Sequence, residues 1–424
     1  MTPPDSAAPA AAVPASLPLA QGNLNFVLIC VFIDMLGIGL IVPVLPALVG
    51  EFTGGARDSQ AYWYGIMSAV FGLMQFIFMP MLGAISDRVG RRPVLLYSMA
   101  GMCINFLATA WAPNLACLFI GRVIGGMSSA SMSVASAYAS DISTPDNRAK
   151  SFGKVGAAFG LGFICGPMLG GLLGGVDLHL PFYVAGALSA ANFIYGYFCV
   201  PESLPAAGRK PFSIDKINPF TALIKLARRA DIRGLVITFA LVTCAQMMLH
   251  STWVLYTTFR FDWTPGQNGA ALFCVGLTAA VVQAGLLGLL IKRFGELRLS
   301  QLGMISGGIT FLLYGLATQG WMMYVLIVCN MLSFTVGPAL QGLISKASPA
   351  DEQGELMGSL QSITSIGVIF MPLLGSAILG EVSHLPPNDW RIGGTFFVCA
   401  AMQAAAIMVA RRYFSSHHMT AAKP

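Results

Sequence analysis

Three ionisable side chains stand inside otherwise oily stretches of this chain: Asp34 in FIDMLGIGLIVPVLP, Arg122 in CLFIGRVIGGMSSASMSVASAYASD and His250 in LVTCAQMMLHSTWVLYTTF. A charge placed in hydrocarbon is costly and normally faces a water-filled cavity or a partner. Asp34 is the first candidate for carrying a proton, because a carboxylate that alternates between apolar and cation-facing surroundings can load and release one. A fixed acceptor that ties two helices together is the blander reading of the same residue. Its expected partner is Arg122. His250 joins it as a second proton-coupling candidate, since an unperturbed imidazole titrates near neutral pH; the competing reading is a neutral, hydrogen-bonding histidine.

A denser knot of charge lies at GAISDRVGRRP, residues 83–93, between two apolar runs. Arg88, Arg91 and Arg92 can anchor helix ends to phospholipid head groups. That reading leaves Asp87 and the glycines without a role. Gly83 permits close approach of a second helix, Gly90 permits a tight turn, and Asp87 can pair with an arginine or with the positive end of a helix. The expectation is a short loop acting as a reversible latch between two parts of the protein.

Amides recur within the apolar runs at Gln75, Asn105, Gln246, Gln283, Asn330, Gln341 and Gln361, with Phe71, Phe106, Trp253 and Tyr256 nearby in sequence. Amides offer adaptable hydrogen bonds, while aromatic and methionine side chains conform to irregular apolar matter. A cavity for a small, lipophilic, ring-containing molecule is the expected product. Of the nine cysteines, Cys30, Cys103, Cys165, Cys244, Cys274 and Cys329 fall inside apolar runs, and no CxxC or histidine cluster marks a metal site. Neither a metal nor another cofactor is expected.

The elements that must position these groups are membrane helices. Hydrophobic residues make up 56% of the chain and charged residues 10%, too few to cover a water-facing surface. Apolar runs of the length needed to cross a bilayer, about 20 residues, fall at 25–48, 61–82, 93–111, 114–137, 151–174, 180–200, 236–259, 267–291, 299–317, 321–345, 354–379 and 392–411. An all-α membrane protein with twelve transmembrane helices is predicted. Arginine and lysine gather on one side of this arrangement, leaving Arg57, Arg260 and Arg391 on the other. The bias places both termini in the cytoplasm and accounts for the net charge of +6 without a nucleic-acid partner.

The longest polar interval separates six spans from six. The expected units are a disordered cytoplasmic tail at 1–20, a six-helix bundle at 21–200, a cytoplasmic linker at 201–235, a second bundle at 236–412 and a short tail at 413–424. The halves echo one another: Gly83, Asp87, Arg88 and Gly90 recur as Gly288, Lys292, Arg293 and Gly295. Two similar bundles are what a carrier needs to rock about a central site. The fifth span carries Gly162, Gly166, Pro167 and Gly170 among other small residues, a face suited to tight helix packing.

With these motifs the chain resembles the major facilitator superfamily, and within it the drug/proton antiporters nearest the tetracycline exporters. The likeness rests on DMLGIGLIVPVLP, MLGAISDRVGRRPVLL, GRVIGGMSSA, SFGKVGAAFGLGFICGPMLGG and WVLYTTFRFDW. It implies two pseudo-symmetric bundles in a bacterial inner membrane and proton-driven efflux by alternating access, with a monomer sufficient. It also implies that Asp34 corresponds to the branch's first-helix acid, Asp87 and Arg91 to its gating-loop pair, and Arg122 to its fourth-helix arginine. The branch's acids in spans 3 and 9 are replaced by Asn105 and by Gly307 or a neighbour, and its span 8 histidine aligns near Ala279. A cationic tetracycline–metal chelate would lose its negative partners there, so another lipophilic or amphipathic cargo is expected. Two alternatives stay open: an importer or facilitator of an organic anion held by Arg122, and a non-transporting receptor or scaffold.

Overall fold

The computed structural model describes residues 24–144, 146–206, 209, 232–347 and 353–416, and among these all regular structure is helical. The tail expected at 1–20 and most of the linker expected at 201–235 lie outside the described residues. The first half contains α1 (Leu24–Ile41), α2 (Leu45–Phe52), α3 (Arg57–Val89), α4 (Arg91–Ala110), α5 (Leu115–Ser128), α6 (Ser131–Asp141), α7 (Arg148–Gly174) and α8 (Leu180–Cys199). The second half contains α9 (Arg233–Phe261), α10 (Pro265–Ala280), α11 (Leu287–Leu316), α12 (Gly320–Cys329), α13 (Val336–Lys346), α14 (Gln353–Val382) and α15 (Gly394–Ser416). Helices satisfy every backbone hydrogen bond internally, which lipid requires of a spanning segment.

Ten helical stretches are long and apolar enough to cross a bilayer, and the pair formed by α12 and Met331–Lys346, bent by 49°, makes an eleventh. One of the ten, Pro265–Leu316, has 52 residues. At 1.5 Å per residue it would measure roughly 78 Å, against about 30 Å of hydrocarbon. It turns at Gly295, where φ is 73° and ψ 158°, and so accounts for two of twelve passages.

Several expected spans are not continuous. The first breaks after Ile41, where Pro43 cannot donate to the helical ladder and Pro46 opens α2. The fourth breaks at Ser129 and Ala130, within a run of small residues and hydroxyls that compete for backbone hydrogen bonds. The tenth passes through a tight 3₁₀ segment, Met331–Thr335. Ser129 lies 205 positions before Phe334, the offset that also relates Gly90 to Gly295, so the two halves are broken at equivalent places. Between α10 and α11 the helix widens into a π turn, Val281–Leu286.

The charged segment is not a loop. Helix α3 continues through Gly83, Asp87 and Arg88 to Val89, and α4 begins at Arg91. Gly90 alone makes the turn, with φ 113°, a conformation that side-chain-bearing residues rarely adopt.

Packing of the halves differs between the two ends of the molecule. At the end bearing Arg57 and Trp263, one continuous core unites first-half residues such as Leu45, Tyr64 and Phe182 with second-half residues such as Trp253, Tyr256 and Phe396. At the other end, the end of Gly90 and Gly295, two separate cores form. One contains Val27, Val94, Tyr138 and Val200, and the other Ile232, Leu343, Leu360 and Tyr413. The halves therefore share a buried core at one end and keep separate cores at the basic end.

Candidate functional site

Asp34 sits midway along α1 and is 3% exposed. Asn192 of α8 donates through Nδ2 to Asp34 Oδ1 at 2.8 Å and to the Cys30 carbonyl at 3.0 Å. Asp34 Oδ2 and Asn192 Oδ1 are enclosed without a hydrogen-bond partner. Helix α6 starts beside them, and its first residue, Ser131, is the other polar side chain acting on the carboxylate. A helix N-terminus presents unpaired N–H groups and a positive dipole end, so the break in the fourth span lets a half-helix begin at the depth of Asp34. Asn192, the hydrogen-bond partner of Asp34, was missed in the sequence, although a lone amide in SAANFIYG is the same signal that singled out Gln75 and Asn105.

Arg122 does not partner Asp34. It projects from α5, above the break, and its guanidinium lies over the ring of Phe71 in α3, 5.3 Å from the centroid, with Tyr64 of the same helix beside it. The break explains the separation: Asp34 is level with the start of α6, whereas Arg122 belongs to the preceding half-helix.

His250 lies within α9. Its side chain is exposed, and among the described residues it takes part in no ion pair.

Around Gly90 an ion network has formed. Arg91 bonds Asp87 Oδ1 through Nη1 at 2.6 Å and Asp141 Oδ2 through Nε at 2.9 Å, and also donates to Ser86 Oγ at 2.6 Å. The backbone N–H groups of Arg91 and Arg92 donate to the two oxygens of Glu202 at 2.8 and 3.2 Å. Glu202 thus caps α4, an acid at the positive end of a helix. A Cβ on Gly90 would collide with that carboxylate. Arg92 donates to the Tyr197 carbonyl and lies over the Tyr197 ring, while Arg88 is exposed. Gly83 has room for a Cβ, whose nearest neighbour would be Ser133 Oγ at 3.6 Å; no close approach demands glycine there in this conformation. All of these partners belong to the first half, so the network does not bridge the halves here.

The bridges lie at the opposite end. Tyr62 donates to Glu381 Oε1 at 2.7 Å, joining α3 to α14, and Arg57 stands 4.0 Å from Asp262. Glu381 is a cross-half partner within α14. A Cβ on Gly65 would lie 2.6 Å from Ser376 Cβ. On the second seam, Gly269 of α10 packs on the Pro167 carbonyl of α7. The other face of α7 meets α1, where a Cβ on Gly166 would lie 2.6 Å from the Gly39 Cα; Gly162 packs on the Phe32 carbonyl and Gly170 on that of Leu40.

The amides divide. Gln75 donates to Ser129 Oγ at 2.9 Å, at the break of the fourth span. Asn105 is 1% exposed, wedged against Gly121 and Gly125 with Oδ1 unpartnered. Asn330 is buried and accepts from Ser306 at 3.2 Å. Gln246 is half-buried with Oε1 unpartnered. Gln283, in the π turn, is exposed, as are Gln341 and Gln361. Trp253 is not cavity-lining but buried in an aromatic cluster with Trp263, Tyr314 and Phe396. Gln403 of α15, missed in the sequence, is 3% exposed, beside Gly307 and with Oε1 unpartnered. Among the described residues no group of histidines, cysteines and acids could hold a metal ion.

The family model described as Major Facilitator Superfamily matches residues 27–372 and 261–423. The chain is 36% identical over 394 residues to the class C tetracycline resistance protein of Escherichia coli, covering 93% of this chain and 97% of that protein. It is 28% identical to the quinolone resistance protein NorA of Staphylococcus aureus (strain MRSA252) over 82% of this chain and 87% of that one. Among solved structures, the nucleoside transporter NupG superposes with a TM-score of 0.74 at 12% identity, over 92% of this chain and 98% of that one.

Proposed function

Because the chain belongs to the Major Facilitator Superfamily of membrane transporters, we propose that it is a proton-coupled exporter of a lipophilic or amphipathic organic compound, working by alternating access. The observation that carries this reading is Asp34: an enclosed mid-membrane acid with one oxygen held by Asn192 and the other without a close hydrogen bond, Ser131 being the remaining polar side chain that acts on it. A fixed structural acceptor gains by having both oxygens firmly satisfied; one loosely held oxygen suits a site that takes up and gives back a proton. Relatives named for tetracycline and quinolone resistance support an exported drug-like cargo.

The basic end is assigned to the cytoplasm of a bacterial inner membrane by the positive-inside rule, and the structure is then the cytoplasm-open state. Closure there would bring the Gly90 and Gly295 ends together, and the Arg91 network with its capped α4 supplies a rigid first-half surface for that latch. His250 assists proton transfer from the second half, and one copy of the chain suffices.

The test is uptake into inverted vesicles under an imposed pH gradient, with tetracyclines, other lipophilic drugs and organic anions compared. Asp34→Asn should abolish gradient-driven accumulation while leaving equilibrative exchange. Accumulation with unchanged size and pH dependence would remove Asp34 from the mechanism.

A further inference from the structure

Arg122 is 9% exposed. Among the described residues no carboxylate comes within ion-pair distance of it and none accepts a hydrogen bond from it; its contacts are the Phe71 ring and Tyr64. Its nitrogens are not among the fully enclosed polar atoms that lack a partner, so part of the guanidinium keeps some exposure. A cation held in the middle of a membrane without a counter-charge is costly to keep, and one that opens onto a cavity can be neutralised by whatever enters it.

Among the described residues the rest of the interior offers no acid other than Asp34. Among the described carboxylates, every one other than Asp34 lies near a helix end, beside the turn at Gly295 or between helices, and Asp34 is enclosed against Asn192. Asn105 and Gly307 are neutral, and the exposed His250 of α9 can only add positive charge. In a low-dielectric space such an imbalance repels cations and attracts anions.

We propose that Arg122 is the docking point for the charged group of the cargo, and that the cargo is an amphipathic aromatic anion of the carboxylate type. The inference rests on the transport reading above and narrows it. A guanidinium offers a carboxylate two parallel hydrogen bonds, and the half-buried Phe71 beside it supplies an apolar surface for an attached ring.

Three ligands of one shape separate this from other cargo classes: naphthoate, its methyl ester and naphthylmethylammonium. Binding to the purified full-length protein in lipid nanodiscs is measured by calorimetry at neutral pH, and flux of the same compounds in proteoliposomes. Naphthoate should bind about tenfold or more tightly than the ester, with the ammonium weakest. Arg122→Gln should remove the preference for naphthoate over its ester, and Arg122→Lys should keep part of it. Equal or tighter binding of the ammonium, no binding of naphthoate, or an unchanged preference in a folded Arg122→Gln would overturn the inference. The comparison among ligands on the unmodified protein stands even where a variant does not fold. Naphthoate binding without flux under any ion gradient would uphold the anion site and reject the exporter; gradient-driven flux of the ammonium without naphthoate binding would do the reverse.

Discussion

Glu296 accepts a 2.8 Å hydrogen bond from Lys346, and these two residues stand 205 positions after Arg91 and Asp141, which pair at 2.9 Å in the first half. The contact is kept and its charges are exchanged. Lys292, at the position equivalent to Asp87, is reversed as well. An ion pair between adjoining helix ends needs opposite charges but is indifferent to which helix carries which, so a repeated bundle can change every sign and retain the joint.

That equivalence predicts a rescue. Glu296→Lys or Lys346→Glu alone places like charges together and should lower the thermal midpoint modestly. The double exchange should restore it. Lys346 is 71% exposed, and solvent screening limits the coupling to about 1 kcal/mol or less. A double-mutant cycle by thermal unfolding in detergent measures it; additive losses would show that the pair contributes nothing.

The Asn192 contact makes Asp34 and Asn192 separable. Asp34→Asn keeps an oxygen able to accept from Asn192 and should fold normally while losing gradient-driven transport. Asn192→Ala strips Asp34 of its closest donor within an enclosed site and should cost about 1–3 kcal/mol as well as transport. Thermal unfolding and vesicle uptake on both variants check this: equal stability losses would argue that Asp34 is a tether.

Glu202 and Gly90 should act together. Glu202→Ala removes the cap from α4 and should cost about 1 kcal/mol. Gly90→Ala forces a Cβ into the same carboxylate at φ 113° and should cost more. With Glu202→Ala already present, Gly90→Ala should cost less than it does alone, since the backbone strain remains but the collision is gone. Unfolding midpoints of the two singles and the double decide it.

Gly65 is expected to govern closure at the Tyr62–Glu381 end. Gly65→Val would press on Ser376 in the observed state and should shift the population toward the state open at that end, slowing the cycle about tenfold or more. Distances between spin labels on α3 and α14 report the shift. An unchanged distance distribution would exclude a gating role for this contact.

Arg122 shows what could and could not be read from the residues alone. Its cost in lipid is a property of its side chain and its oily neighbours, so it stood out at once. Its partner did not, because the break at Ser129 and Ala130 moves Arg122 away from Asp34 and toward Phe71. Asn192 was overlooked although it lies in an apolar run like the other amides. Trp253 was misplaced because an aromatic residue beside polar ones reads the same whether it lines a cavity or fills a core. Glu381 gave no signal in one dimension, because the partner that engages it is 319 positions away.

Composition and periodic length determined by themselves that this is a membrane protein of twelve passages in two related halves, since lipid leaves a chain with long apolar runs little choice but helices. The offset of 205 residues, the charge reversal it carries and the turn at Gly90 were all visible in one dimension. Which end joins the halves, where helices break, and which atom of Asp34 stays free were decided only in three dimensions. Those features depend on packing between segments far apart in the chain, and local residue chemistry sets no term for it.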